Sequence, residues 1–330
     1  MELFRGLSYT ANIMWKASYQ NLAQRLDDRD FSAATEMLAL AEAGVSDAQN
    51  KAGELCLRGI GGPVDLKRAN RWITKAARQG HAEAERAAAY FTASGIGCKA
   101  DPAKALSMLQ ALAPNDRFVA VQLAFLQHVQ CELKLASADR RLISTVPHIE
   151  LIVGLFSAAE CRYIQLLAQP WLEPAMIYAA TGEGMRDPHR DSDNMVVAPM
   201  TEDLVIQAIN RTIAAASDTQ VTWGEPLHVL RYTPGQQYRP HHDAHAYPQV
   251  EKRRVATALL YLNDNYEGGE TNFPELGITV RGGVGDLLIF HNLDANKMPE
   301  MRMIHAGLPI TSGEKWLATR WIRGADYFPR

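Results

Sequence analysis

What the chain lacks narrows its function before any motif is read. None of its four cysteines, Cys56, Cys98, Cys131 and Cys161, lies in a Cys-x-x-Cys pair. Neither a zinc framework nor a disulfide scaffold is therefore expected, and the thiols read as buried groups in a reducing, cytoplasmic setting. No run approaches the ~18 apolar residues that span a bilayer. The first ten residues hold no apolar core long enough for a secretion signal. Neither sign of charge dominates, with 34 Lys and Arg against 37 Asp and Glu for a net −3. The cluster Lys252-Arg253-Arg254 is too short to suggest a nucleic-acid or membrane partner, so neither is expected. What remains is ordinary globular material, 47% hydrophobic and 22% charged, with length enough for two domains.

The N-terminal third is rich in Ala, Leu, Lys, Arg and Glu, which favours helix. It also repeats. Gly59-Ile60-Gly61 recurs as Gly95-Ile96-Gly97, Asp65 as Asp101, Ala69 as Ala105 and Ala48 as Ala84, each pair 36 residues apart; Gly44 and Gly80 share the offset. A period in the thirties with one glycine turn per unit predicts stacked helical hairpins. The glycines end the first helix of each unit, and Asp65 and Asp101 are placed to cap the second. The pattern resembles Sel-like repeats, relatives of the tetratricopeptide repeat, over residues 30–115 within a helical domain of residues 1–140. Such repeats offer a concave surface to a protein partner or simply cap a neighbouring domain; both readings stand. The apolar run from Phe118 predicts a buried helix leading out of this domain.

Beyond residue 140 the pattern changes to short β-type runs divided by turns. Helices are predicted at Ala158–Ala168 and 202–215. Strands are predicted at Leu227–Tyr232, 255–262, Leu287–His291, 301–305 and 315–322. The turn pairs Pro234-Gly235, Gly268-Gly269, Gly282-Gly283 and Ser312-Gly313 separate segments. The expected fold is α+β in two domains: helical hairpin repeats, then a double-stranded β-helix, or jelly roll, with flanking helices over residues 141–330.

His241-His242-Asp243, with His305 far downstream and Lys315 ten residues later, carries the chemistry. Two histidines and one carboxylate suit a mononuclear, non-haem Fe(II). In an extended segment His241 and Asp243 share a face, and His242 points the other way. His305, expected at the end of its strand, completes the set across the barrel. A hairpin through 309–313 would return Lys315 beside that strand. A lysine inside a barrel is costly unless it meets negative charge, which the far carboxylate of 2-oxoglutarate would supply.

Here the chain resembles the prolyl 4-hydroxylase group of Fe(II)/2-oxoglutarate dioxygenases over residues 147–326. The matching runs are Leu230-Arg-Tyr-Thr-Pro-Gly-Gln-Gln-Tyr-Arg-Pro-His-His-Asp243, Tyr261-Leu-Asn-Asp and Gly268-Gly-Glu-Thr-Asn-Phe-Pro274. Gly285-Asp-Leu-Leu-Ile-Phe290, His305-Ala-Gly-Leu-Pro309 and Gly313-Glu-Lys-Trp-Leu-Ala-Thr-Arg-Trp-Ile-Arg323 follow in order. The resemblance implies Fe(II) on His241, Asp243 and His305, with O2 as oxidant and ascorbate as an accessory reductant. It implies Lys315 and Thr271 at the far carboxylate of 2-oxoglutarate and Tyr232 beside that cosubstrate. Tyr238 and Trp321 would flank the metal as catalytic residues. Arg254 and Arg190 would face the substrate, the latter with Ser192 in a segment where Asp191 replaces a threonine. Related halogenases resemble this pattern with a small residue at the carboxylate position, so the retained Asp243 favours hydroxylation.

The chain departs from the pattern at Glu300, where an aspartate is common, at His291, often aromatic, and in a short mouth loop over 244–252. Lone histidines are usually structural, the reading given to His81, His128, His148, His189 and His228, with His242 and His245 near the site but not on the metal. The implied reaction is oxidative decarboxylation of 2-oxoglutarate to succinate and CO2, coupled to hydroxylation of an unactivated C–H bond. The substrate reading is a prolyl residue or proline-like group. The alternatives are a free amino acid or small metabolite, and a non-catalytic repeat adaptor.

Overall fold

A computed structural model describes residues 2–178, 184–186, 189–244 and 252–328. Two compact units divide the chain. One takes the chain up to Phe125 with Pro199–Leu204, and the other takes Leu126–Ala198 and Val205–Tyr327. The division falls earlier than the expected 140. Cys131 explains this, because it is buried and accepts a hydrogen bond from Thr212 at 3.1 Å, while Glu160 accepts from the Gln130 and Cys131 amides. Residues 130–131 are thus tied to the second unit.

The first unit is a run of antiparallel helices. Ser46–Arg58 and Ala82–Ser94 each end on a glycine in the left-handed region, Gly59 at φ 67° and Gly95 at φ 79°. Leu66–Ala77 and Pro102–Leu112 each begin on the predicted aspartate cap. Asp65 accepts from the Arg68 amide at 2.8 Å and Asp101 from Lys104 at 2.9 Å. Alanines at 48, 52, 69, 76, 84 and 87 are fully buried, so the helices approach closely around Met37, Leu55, Ile73 and Phe91. The helix Arg117–Leu126 corrects an expectation. It buries only Val119 and Gln122 and leaves Phe118 and Val121 in solvent.

The second unit holds two facing antiparallel sheets. The larger runs, edge to edge, Asp139–Ser144, Ile149–Val153, Leu287–His291, Arg254–Tyr261, Lys315–Arg323, Leu227–Tyr232, Asp193–Val197 and Glu173–Pro174. The smaller runs Ile278–Val280, Thr271–Phe273, His305–Gly307 and Tyr238–His241. Buried Leu230, Leu259, Tyr261, Phe273, Phe290 and Leu317 form one core with residues from both sheets. This is the jelly roll the turn spacing predicted, closed by antiparallel pairing throughout. Ala158–Ala168 enters through a capping box of Ser157 and Glu160, and a second helix spans Leu204–Ala216. Among the described residues, no helix is long and apolar enough to cross a membrane.

Two local expectations change. Residues 301–305 are not a strand: Met301–Met303 is a 3-10 turn whose first amides are met by Glu300, and His305 begins the strand His305–Gly307. The Lys315 strand does not return beside His305 either. Ile310–Gly313 pairs with Tyr266–Gly268, and Lys315 then joins the larger sheet opposite Tyr232. His305 and Lys315 therefore approach the interior from opposite sheets.

Candidate active site

A cavity open at its mouth lies between the sheets, with ≈ 520 Å³ of empty space counted out into solvent. Its wall includes His241, Asp243 and His305, and also Lys315, Thr271, Tyr232, Tyr238 and Trp321. Eight of the ten residues singled out from sequence thus meet in one space. Strand alternation explains much of this: Lys315, Leu317, Thr319 and Trp321 all face it from one strand, as do Leu230 and Tyr232 from its neighbour.

The histidines are oriented by the same local device. His241 Nδ1 lies 2.8 Å from the Arg239 carbonyl oxygen, and His305 Nδ1 lies 3.0 Å from that of Met303. A carbonyl only accepts, so Nδ1 carries the proton and Nε2 presents its lone pair. His241 Nε2 is 3.7 Å from Asp243 Oδ1, and His305 Nε2 is 3.7 Å from Oδ2. The ligand atoms of the three residues all lie within 4.8 Å of one another. Burial pushes the His241 imidazole down to about 4, which leaves it neutral at physiological pH. Burial alone would raise the Asp243 carboxyl, but the facing His305 and His241, Arg254 and the Thr257 hydroxyl outweigh it and hold it below the ordinary carboxylate range. Two imidazoles and one carboxylate are a donor set that fits Fe(II). His242 is engaged elsewhere, with Nε2 2.9 Å from the Glu300 carbonyl oxygen and Nδ1 accepting from the Ala244 amide.

A second charged group stands in the cavity wall. Lys315 is 3% exposed, and Nζ donates to the Gly269 carbonyl at 2.6 Å. No described carboxylate is ion-paired with it; Glu270, the nearest in effect, lies beside Arg281 at 3.7 Å. Burial pushes the Lys315 ammonium down to about 8, an effect Glu270 only partly offsets. Thr271 is buried beside it in the cavity wall, its hydroxyl 2.9 Å from the Tyr261 hydroxyl. A buried cation facing an open cavity calls for an anion.

Trp321 is held from two sides. The Arg254 guanidinium lies 3.8 Å over its ring, and His228 meets it edge-on at 4.7 Å. Arg254 is bound through two hydrogen bonds to Glu225, at 2.8 and 2.9 Å, and Glu225 also accepts from Arg323. Arg254 is thus outside the cavity lining and reaches it through Trp321. Tyr238 stacks on His241 with ring centroids 3.5 Å apart, and the Arg190 guanidinium lies 5.5 Å from the centroid of the Tyr238 ring. The Arg190 Nε is buried and, among the described residues, has no hydrogen-bond partner. His245 and the rest of the mouth loop from 245 to 251 lie outside the described residues.

Strand alternation from Lys315 predicts Leu317, Thr319 and Trp321 on the inward face, as found, whereas sequence reasoning passed over Leu230 and Leu259 in the cavity wall and the partner Glu225. His228, given a structural reading, is a buried ring pushed down to about 4, with no hydrogen-bond partner for Nδ1 among the described residues. Strand parity carries the signal for Leu230; nothing local marks Glu225.

The profile of the 2OG-Fe(II) oxygenase superfamily matches residues 227–323, and that of the Sel1 repeat matches 46–81 and 82–113. Prolyl 4-hydroxylase 1 of Arabidopsis thaliana is 35% identical over 209 residues, 58% of this chain and 74% of that protein. The chain belongs to the prolyl 4-hydroxylase group of the 2OG-Fe(II) oxygenase superfamily. Probable prolyl 4-hydroxylase 9 of the same plant is 30% identical over 216 residues, 59% of this chain and 75% of that protein. Among solved structures, the viral collagen prolyl hydroxylase of Paramecium Bursaria Chlorella virus-1, in its 2OG complex, is 29% identical. It covers 54% of this chain and 96% of its own, with a TM-score of 0.44. The enzyme is accordingly a hydroxylase of this superfamily, requiring Fe(II), 2-oxoglutarate and O2.

Proposed function

We propose that this enzyme hydroxylates a prolyl residue in a peptide or protein, with Fe(II) held by His241, Asp243 and His305. Lys315 and Thr271 bind the far carboxylate of 2-oxoglutarate, and Tyr232 closes on the chain of the cosubstrate. The observation that carries this reading is the pairing, within one cavity, of a two-histidine, one-carboxylate cluster and a buried lysine without an acid partner.

Bound Fe(II) supplies dioxygen activation and the oxidative decarboxylation of 2-oxoglutarate. One oxygen atom leaves in succinate and the other enters the C–H bond, with CO2 released. The protein supplies position. The carbonyls of Arg239 and Met303 fix the two rings, and Lys315 sets the depth at which a five-carbon diacid lies. Tyr238 and Trp321 form the apolar wall where a pyrrolidine ring would lie, and Arg254 acts by holding Trp321. Arg190, beside the Tyr238 ring, faces the substrate.

The Sel1-type helices are the proposed holding surface for a protein substrate. Ascorbate as a reductant rests on the family resemblance. A cytoplasmic site is supported by four free cysteines, three of them buried. A second reading is a free imino acid whose carboxylate meets Arg190, favoured by an Nε that no described residue engages.

The test is mass spectrometry for a +16 product with Fe(II) and 2-oxoglutarate, offering proline-containing peptides and free proline in parallel. Hydroxylated peptide supports the main reading, and modification of free proline alone supports the second. Asp243→Ala and His305→Ala should make neither product nor succinate; succinate at the wild-type rate would remove the ligand assignment.

A further inference from the structure

The Asp243 carboxylate is tied to the larger sheet by a two-step hydrogen-bond chain. Thr257 Oγ1 donates to Asp243 Oδ2 at 2.6 Å, and Asn292 Nδ2 donates to Thr257 Oγ1 at 2.9 Å. Thr257 and Asn292 are fully buried, and Asp243 is 4% exposed. Neither Thr257 nor Asn292 lines the cavity, and neither belongs to the ligand set or the cosubstrate set proposed above.

The direction of the chain is fixed by proton supply. A threonine hydroxyl has one proton, and an ionised carboxylate can only accept. If the Asn292 amide were turned over, its oxygen would compete with Asp243 for that proton and leave one buried acceptor unmet. In the observed orientation Nδ2 takes the hydroxyl lone pair and the proton is committed to Asp243. The residual cost is one buried, unpartnered Asn292 Oδ1.

The anchor matters because of where Asp243 sits. It lies two residues past the end of the strand Tyr238–His241 and beside the mouth loop, so its own backbone is outside any ladder. Thr257, in contrast, is central in the larger sheet, paired to Phe290 on one side and Trp321 on the other. Asn292 is held by its amide to the Val255 carbonyl and by its own carbonyl to the Glu300 amide. The chain thus fastens the carboxylate across the barrel to the most rigid part of the fold. It also divides the two oxygens. Oδ2 is engaged, and Oδ1 accepts no hydrogen bond from any described residue.

We propose that Thr257 and Asn292 are positioning residues that hold Asp243 as a one-oxygen metal ligand, bound through Oδ1. Without them the carboxylate is free to rotate and to chelate through both oxygens, which would take up a coordination position that 2-oxoglutarate or O2 needs. The inference rests on the assignment of His241, Asp243 and His305 as ligands.

The test titrates the metal-free full-length protein with Co(II) in the absence of substrate and records affinity and the visible d–d absorption. Wild type should bind one ion; no binding would overturn the ligand assignment itself. Given binding by wild type, Thr257→Val should weaken it by roughly 10-fold or more, the usual effect of losing a partner of a metal ligand. Its absorption bands should shift, and Thr257→Ser should restore both. Asn292→Ala should give a smaller change in the same direction. Circular dichroism separates these effects from misfolding, and if Thr257→Val does not fold, Asn292→Ala is read by the same two measures. Wild-type affinity and spectrum in the folded variants would overturn the proposal.

Discussion

Lys315 Nζ meets the carbonyl oxygen of Gly269 at 2.6 Å inside the barrel. The contact aims a cation along the cavity wall without neutralising it. Burial has already brought that ammonium down to about 8. Below that pH the lysine is charged and ready for a carboxylate. Above it the lysine is neutral, and binding must draw a proton from solvent. 2-Oxoglutarate affinity should therefore fall as pH rises through 8, with proton uptake at pH 9 and little at pH 7. Calorimetry in two buffers of different ionisation enthalpy measures this. Lys315→Met should abolish the uptake and weaken 2-oxoglutarate by roughly 10–100-fold, the worth of one charge-assisted hydrogen bond.

Gly269 sits at φ 70°, and a Cβ there would lie 2.3 Å from Ile310 Cδ1 and 3.3 Å from Lys315 Cδ. The Ile310 methyl can move aside, but the left-handed backbone remains unfavourable by about 1–2 kcal/mol. Gly269→Ala should lower the melting temperature and raise the KM for 2-oxoglutarate, leaving metal affinity unchanged. Equal loss of metal affinity would mean that the two ends of the cavity are not independent.

Glu225 receives both Arg254 and Arg323. Burial alone would raise its carboxyl, yet the two guanidinium groups hold it below the ordinary carboxylate range. A depressed carboxylate stabilises the fold above its unfolded pKa, and that stability is lost as pH falls through the lower, folded value. Glu225→Gln should remove this acid-side dependence and destabilise by about 3–5 kcal/mol at pH 7, as for a broken buried pair. The freed Arg254 would loosen Trp321, so kcat/KM for the peptide should fall further than that for 2-oxoglutarate. Urea titrations at several pH values and steady-state kinetics read the two effects.

Asp65 and Asp101 occupy matching caps in successive repeats. Replacing either with Ala should cost about 1 kcal/mol, seen as a lower melting temperature of the helical unit. The two single variants should shift it alike, because the caps are geometrically the same.

The metal cluster was legible because its information is local. His241 and Asp243 are two apart in an extended segment, and parity alone sets His242 aside. The helical repeats were legible because Gly59 and Gly95 demand the same left-handed turn. What depended on distant pairing was not. Lys315 was expected beside His305, yet its strand pairs in the other sheet with Leu227–Tyr232 and Arg254–Tyr261, partners that lie far from it in sequence. Arg254 was expected to face the substrate, and nothing near it in sequence marks Glu225, the partner 29 positions away that binds it. Phe118 and Val121 read as core because apolar residues cover several faces of their helix, and the sequence does not say which face is covered.

The strand Lys315–Arg323 works as a ruler with a two-residue graduation. Lys315, Leu317, Thr319 and Trp321 mark successive steps along the cavity wall, each about 6.8 Å from the last. Its phase is as important as its length. One residue inserted between Lys315 and Trp321 would turn everything beyond it by half a pleat. Whichever end kept its register, the other would point out of the barrel. The strand can therefore be lengthened without displacing one of its ends only in pairs of residues.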